Sequence, residues 1–354
     1  MSDKVRAALA AIVDGKTLST EEAREAMGSV MDGEATPAQL AALLVALRMR
    51  GESVEELAGF AMAMRQRVVR VAAPDGAIDT CGTGGDHSGT FNISTAAALV
   101  VAAAGVPVAK HGNRAMTSAC GSADVLEALG VATDLSPEEA GAALHADGFA
   151  FLFAMAYHPA MKHAGPTRRE IGVRTAFNLL GPVTNPAGAK RQVVGVGDPS
   201  VAPRLAEVLR LLGTQRSFIV HGAGIDELPL DGTGVLYDVT PGGVKRRPVV
   251  ASQLGLTASP LSALAGGTPA ENAAQVESVL AGEPGPRRDV VLLTAAAALL
   301  VAGRVDTLAD GIPLAAATID SGAATALLAR LRSGKTRRDQ AKAEAARTME
   351  ATPA

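Results

Sequence analysis

Along the first seventy residues, apolar positions form faces on several short helices, and polar residues mark where the helices begin. Ser19 with Glu22, Thr36 with Gln39, and Ser53 with Glu56 are three capping boxes, each a hydroxyl followed three residues later by Glu or Gln. Pro37 takes the first helical position after Thr36, and Gly51 stops the helix that carries "LLVALRMR". No strand-like run interrupts this segment, so it predicts a small all-helical domain over residues 1–72. From about residue 74 the pattern changes to short apolar strands alternating with helices. The strands are expected at 77–79, 106–110, 149–154, 192–197 and 217–222, and the helices at 94–104, 122–129, 137–146 and 200–212. Strand–helix alternation implies parallel pairing through right-handed crossovers. Residues 234–240 and 243–250, joined by Pro241-Gly242, predict an antiparallel hairpin. Residues 269–333 read as mostly helical, and the charged, Ala-rich tail beyond Ser333 as a frayed helix. The fold class is α/β: a helical N-terminal domain, joined by part of 160–185, and a larger domain over 73–354 with a mostly parallel central sheet.

The chain has 354 residues, long enough for two domains. Hydrophobic residues make up 48% but aromatics only 3%, with no Trp, so the core must be built from Ala, Val and Leu. The net charge of -3 argues against nucleic acid as a partner, because a nucleic-acid-binding domain favours a basic surface. Two cysteines, Cys81 and Cys120, make no disulfide framework and have no metal-ligand spacing. They fit small buried residues in a reducing cytosol. The early Asp3 makes a poor signal peptide, and the longest uncharged apolar run, 14 residues over 290–303, is too short to span a bilayer. The expectation is a cytoplasmic protein with no membrane partner.

The candidate chemistry starts at "DTCGTGGDHSGTFNISTAA", residues 79–97, where four glycines fall between Gly82 and Gly89. A glycine-rich turn from a strand into a helix N-terminus exposes backbone N–H groups at the positive end of the helix dipole, which suits phosphate. The loop is neither G-x-x-x-x-G-K-[ST] nor G-x-G-x-x-G, since His87 stands where the last Gly would be. Asp86 would repel a bare phosphate, so a sugar phosphate, offering hydroxyls as well, or a metal explains it better. Asn92, Ser94 and Thr95 add neutral donors and oxygen ligands. A second stretch, "KHGNRAMTSACGSAD" at 110–124, places Lys110, His111, Asn113 and Arg114 at the carboxyl end of the next strand. Parallel sheets bind ligands at that end. Asp226-Glu227 form an adjacent carboxylate pair after another strand, and Mg²⁺ takes one or two carboxylates along with phosphate oxygens. In the fourth stretch, 158–187, Arg168, Arg169 and Arg174 flank a short helix downstream of His158 and His163. Arg suits bidentate carboxylate recognition, but three cannot all be ligands, and most are expected to be structural.

"GTGGD…TFNIST", "KHGNRAMTS…GSAD", "RTAFNLLGPVTNPA" and "DEL", in this order, resemble the anthranilate phosphoribosyltransferases over essentially the whole chain. The resemblance implies transfer of the phosphoribosyl group of 5-phosphoribosyl 1-diphosphate to the amine of anthranilate, by a homodimer paired through its helical domain. It implies that Gly82, Gly85, Asp86, Thr90, Asn92, Ile93, Ser94 and Thr95 wrap the donor's diphosphate and ribose. Lys110, His111, Gly112, Asn113, Arg114, Ala115, Met116, Thr117, Ser118 and Ser122 would complete that pocket. Two Mg²⁺ ions are implied, one reached by Ser94 and the other held by Asp226 and Glu227, with Lys110 sharing the catalytic role. Gly82, Asn113 and Arg168 would bind anthranilate, with His111 and His158 lining the site. Met155 departs from a frequent Pro, and His87-Ser88 from the usual Gly; neither removes a charged ligand. A nucleoside phosphorylase of the same architecture is the competing enzyme, opposed by Asp226-Glu227. A nucleic-acid-binding, non-catalytic paralogue is opposed by the net negative charge.

Overall fold

The computed structural model describes residues 1–115 and 119–350. Ser2 caps α1 (Asp3–Val13), and capping boxes open α2 (Thr20–Met31), α3 (Pro37–Arg50) and α4 (Val54–Arg67). In all three boxes the hydroxyl accepts the N–H three residues on, and the Glu or Gln side chain accepts the cap's own N–H. Local chemistry alone therefore sets these helix starts. Their apolar faces close on Leu43, Leu44, Leu47, Leu57 and Phe60, all at most 1% exposed.

The second part runs β1 (Ile78–Gly82), α5 (Ile93–Ala103), β2 (Val108–Gly112), α6 (Ser122–Ala128), α7 (Pro137–Asp147) and β3 (Phe149–Phe153). Short helices α8 (Ala154–Tyr157), α9 (Gly165–Ile171) and α10 (Phe177–Leu180) follow, then β4 (Arg191–Gly195), α11 (Ala202–Leu211) and β5 (Arg216–His221). The hairpin is β6 (Gly234–Thr240) with β7 (Gly243–Val249), and the chain ends in α12 (Pro269–Leu280), α13 (Pro286–Ala302), α14 (Leu308–Asp320) and α15 (Ala323–Glu350). β2 lies two residues later than its apolar run suggests. Val106 and Pro107 belong to the turn after α5, and the ladder takes in Lys110 and His111, polar but buried. Over the described residues the tail is an unbroken helix: α15 runs to Glu350, tied by Arg332 to Glu277 and by Arg338 to Asp134.

The seven strands order as β3-β2-β1-β4-β5-β6-β7, the first five parallel and the last two antiparallel. Alternate side chains feed two different cores, as expected for a sheet covered on both faces. Val193, Phe218 and Val220 face α5, α13 and α15. Val194, Ile219 and Val235 face α11, and that core is continuous with α1–α4 and with Ala164, Ala176, Phe177 and Leu180. The segment carrying α9 and α10 is thereby built into the same core as the helical bundle. Among the described residues no single helix is long and apolar enough to cross a membrane.

Candidate active site

The strand order puts β1 between β2 and β4, so successive crossovers run in opposite directions from β1, and the carboxyl ends of β1 and β4 open a crevice. Asp226 sits in that crevice. A Cβ on Gly82 would collide with its carboxylate, and one on Gly195 with its backbone carbonyl, so both strand ends must be glycine for Asp226 to dock there. Asp226 Oδ2 accepts the Gly84 N–H at 3.2 Å, and the Asp226 N–H donates to Asp86 Oδ2 at 3.2 Å. Two loops far apart in sequence thus become one surface. Arg174 Nη1 donates to Gly84 O and Gly85 O at 2.8 Å each, pinning the glycine loop to the segment between α9 and α10. Arg174 belongs to the group expected to be structural; here it is a clamp on the phosphate-type loop.

Charge is concentrated and poorly solvated at this point. Burial pushes the Asp226 carboxyl up to about 7, reinforced by the charge of Asp86. Burial, with Asp226 adding repulsion, pushes Glu227 up to about 8. Thr294 Oγ1 from α13 donates to Glu227 Oε2 at 3.2 Å. Opposite them Lys110 is 1% exposed, donating from Nζ to Thr80 O at 2.6 Å and to Ser94 Oγ at 3.4 Å. Burial lowers the Lys110 pKa, and Asp79, Cys81, Glu227 and Asp226 hold it up. Carboxyls raised by burial and by each other suit a cation, whose charge would favour their ionised forms. Among the described residues no three His, Cys, Asp or Glu side chains cluster to hold an ion by themselves. The fit is therefore to Mg²⁺, which needs one or two carboxylates and takes the rest of its shell from phosphate oxygens and water.

The remaining residues line the edges. Ser94 and Thr95 begin α5, whose N-cap Asn92 is oriented by Cys120 O and by the Asn272 amide. The Thr90 backbone bridges to Ala265 and its hydroxyl meets Ser88 at 3.2 Å. The Asn113 carbonyl accepts the Ser122 hydroxyl at 3.3 Å, and Asp124 accepts the Ala115 N–H at 2.9 Å. Arg114 is exposed and pairs with Glu127 and Asp124, so its charge is already matched. Met116, Thr117 and Ser118 lie outside the described residues.

Next to α8 and α10, His111 Nδ1 lies 3.1 Å from Gly181 O, and its ring is 5.2 Å from that of His158. Both Nε2 atoms are buried without a partner in the described structure. Burial pushes His111 down to about 3 and His158 to about 4, so both rings are neutral. Arg168 lies 4.8 Å over the Phe177 ring with burial lowering its pKa, and no carboxylate among the described residues pairs with it. A cavity of about 280 Å³ opens beside the loop between Arg48, Asp86, Arg174, Asn178 and Arg204, on the Asp86 side rather than at Lys110. Asp79, Thr80, Asn185 and Thr294 are polar residues of this region that motif reading passes over. The available signal was a carboxylate inside an otherwise apolar three-residue strand.

The "Glycosyl transferase family, a/b domain" matches residues 74–325, and the "Glycosyl transferase family, helical bundle domain" matches residues 6–68. The anthranilate phosphoribosyltransferase of Symbiobacterium thermophilum is 54% identical over 330 residues, covering 93% of this chain and 97% of that protein. The structure of the anthranilate phosphoribosyltransferase from Thermus thermophilus superposes with a TM-score of 0.88 at 46% identity, covering 93% of this chain and 99% of that one. The Saccharomyces cerevisiae anthranilate phosphoribosyltransferase in complex with PRPP and Mg superposes with a TM-score of 0.87 at 26% identity, covering 95% and 99%.

Proposed function

The chain belongs to the anthranilate phosphoribosyltransferase family, and from that premise we infer that it transfers the phosphoribosyl group of 5-phosphoribosyl 1-diphosphate to anthranilate in tryptophan biosynthesis. The products are N-(5-phosphoribosyl)anthranilate and pyrophosphate. The observation that carries the reading is the docking of Asp226 between Gly82 and Gly195, which brings the Asp226-Glu227 pair onto the glycine loop.

The bond from the anomeric carbon to the diphosphate breaks as the bond to the anthranilate nitrogen forms, and one amine proton is lost. The amine already has a lone pair, so positioning and charge stabilisation dominate. Gly85, Asp86, Thr90 and the Asn92–Thr95 turn hold the donor, and Lys110 faces the oxygens on which negative charge develops. Mg²⁺ neutralises that charge when bound. We assign two ions, one to Ser94 and one to Asp226 and Glu227. Arg168, its guanidinium 4.8 Å over Phe177 and paired with no carboxylate among the described residues, receives the anthranilate carboxylate; Gly82, Asn113, His111 and His158 line the acceptor side. Both imidazoles being neutral, they add no second cation to compete for it.

We divide the chain into a helical domain of residues 1–72 with part of 160–185 and an α/β domain of 73–354, the two closing on the substrates. Val45 and Met49, one turn apart on α3 and 38% and 83% exposed, support a homodimer through the helical domain. Two free cysteines fit a cytoplasmic enzyme. The deciding assay is loss of anthranilate fluorescence with and without the diphosphate donor and Mg²⁺. Unchanged fluorescence with all components present refutes the assignment.

A further inference from the structure

The seam between β1 and β2 is built unlike the other parallel seams. β1 and β4 share five register pairs, as do β2 with β3 and β4 with β5, yet β1 and β2 share one, Ile78 with Val108. Beyond it, side chains bridge the strands. Asp79 Oδ1 accepts the His111 N–H at 3.1 Å, and Lys110 Nζ donates to Thr80 O at 2.6 Å, where backbone partners would serve in an ordinary ladder. Both side chains are buried, Asp79 at 0% and Lys110 at 1% exposed. The second Asp79 oxygen is also occupied: Asn185 Nδ2 donates to it at 2.8 Å and to Ala109 O at 2.8 Å.

A fully buried carboxyl and a buried amine are a costly way to join two strands, because desolvation offsets much of what their contacts gain. A continued ladder would join them more cheaply. What the open seam does achieve is to aim Lys110. Its side chain crosses to β1 and brings the ammonium within 3.4 Å of Ser94 Oγ at the start of α5. We propose that Asp79 is a positioning residue for the transfer: clamped by Asn185, its carboxylate holds the end of β2 so that Lys110 points at the donor's diphosphate. The proposal rests on the reaction assigned above and adds to it a residue that contacts neither substrate.

The test is a double-mutant cycle in the full-length protein with Mg²⁺. Asp79→Asn keeps the shape and an acceptor for the His111 N–H, but it sets one amide against the Asn185 amide and removes the carboxyl beside Lys110. With the active fraction taken from the stoichiometry of donor binding, kcat should fall about tenfold or more while the anthranilate KM stays within about twofold. In a Lys110→Met background the same substitution should lower kcat by less than about twofold, since its effect runs through Lys110. Effects that multiply, or an Asp79→Asn kcat within twofold of the unsubstituted protein, overturn the proposal. If Asp79→Asn does not fold, Asn185→Ala releases the clamp and keeps the charge; its kcat should fall at least about threefold with the same coupling, and independence from Lys110 again overturns it. If the unsubstituted chain does not consume anthranilate, the reaction falls, and calorimetry with pyrophosphate and Mg²⁺ still tests Asp79. Binding about tenfold weaker in the variant supports the role and equal binding refutes it.

Discussion

The Asp226 N–H donates to the Asp86 carboxylate at 3.2 Å, joining the acidic loop after β5 to the glycine loop after β1. Two carboxyls and Glu227 are thereby gathered in one poorly solvated place with Lys110 as the facing cation. Removing a carboxylate should harm catalysis more than folding. Glu227→Gln keeps an acceptor for the Thr294 hydroxyl and cannot take up the charge that burial disfavours. In EDTA its melting temperature should equal or exceed that of the unsubstituted protein, while kcat falls about a hundredfold or more. A variant that keeps most of its activity with an unchanged Mg²⁺ requirement would remove Glu227 from the proposed metal site.

Chelation should abolish turnover outright, and added Mg²⁺ should restore it. Mg²⁺ should also raise the melting temperature more in the presence of the diphosphate donor than alone, because the protein itself supplies few ligands. Full activity in thoroughly chelated protein would sink the mechanism.

The proposed role of Arg168 is tested by separating acceptor recognition from donor recognition. Its guanidinium is half-buried over Phe177, and no carboxylate among the described residues pairs with it. Losing one half of a buried charge pair costs roughly 2–5 kcal/mol. Arg168→Ala should therefore raise the anthranilate KM by about tenfold or more, at about 1.4 kcal/mol per factor of ten, and move the donor KM far less. Arg168→Lys should rescue little, because it lacks the planar fork. Equal rises in both KM values would refute the assignment.

His111 and His158 predict an acid limit to stability. Burial holds their folded-state values at about 3 and about 4, below the ordinary 6.5. The unfolded chain therefore binds the extra protons, and their contribution is complete above pH 6.5 and is lost as pH falls toward 4. The loss should approach about 1.4 kcal/mol per pH unit for each ring. His158→Gln should flatten the pH dependence of the melting temperature between pH 6.5 and 4.5. An unchanged slope would mean that the ring is already charged in the folded chain.

Val45 and Met49 give the proposed dimer a direct test. Sedimentation at micromolar concentration should show a species of twice the 35.7 kDa chain, and Met49→Glu should shift it toward the monomer. A single species at the chain mass in the unsubstituted protein would refute pairing.

What the sequence made legible was local. The boxes at Ser19, Thr36 and Ser53 and the hairpin turn at Pro241-Gly242 are decided within a few residues, and the structure places them where spacing does. The strand-helix alternation is legible for the same reason. Which strand ends share a crevice depends on the order β2-β1-β4, and no spacing along the chain encodes it. The contact of Asp226 with Gly84, Arg174's hold on the glycine loop and the pairing of Arg114 with Glu127 all follow from that order or from side-chain choices within it. Asp79 is hidden differently: a lone acid in a short buried strand has no motif, and its partners Asn185 and His111 come from other segments.

Gly82 and Gly195 carry no charge and no donor side chain, yet Asp226 stands where it does only because neither has a Cβ. Loss of cation affinity can therefore arise with every acidic residue intact. Gly195→Ala, on paper a conservative change at the end of β4, would displace the Asp226 backbone and with it Glu227, and under the proposed assignment should weaken Mg²⁺ binding. Variant surveys of this enzyme that score positions by charge or polarity would pass both glycines as harmless. The space left by two missing Cβ atoms fixes where Asp226 stands as firmly as the hydrogen bonds it makes.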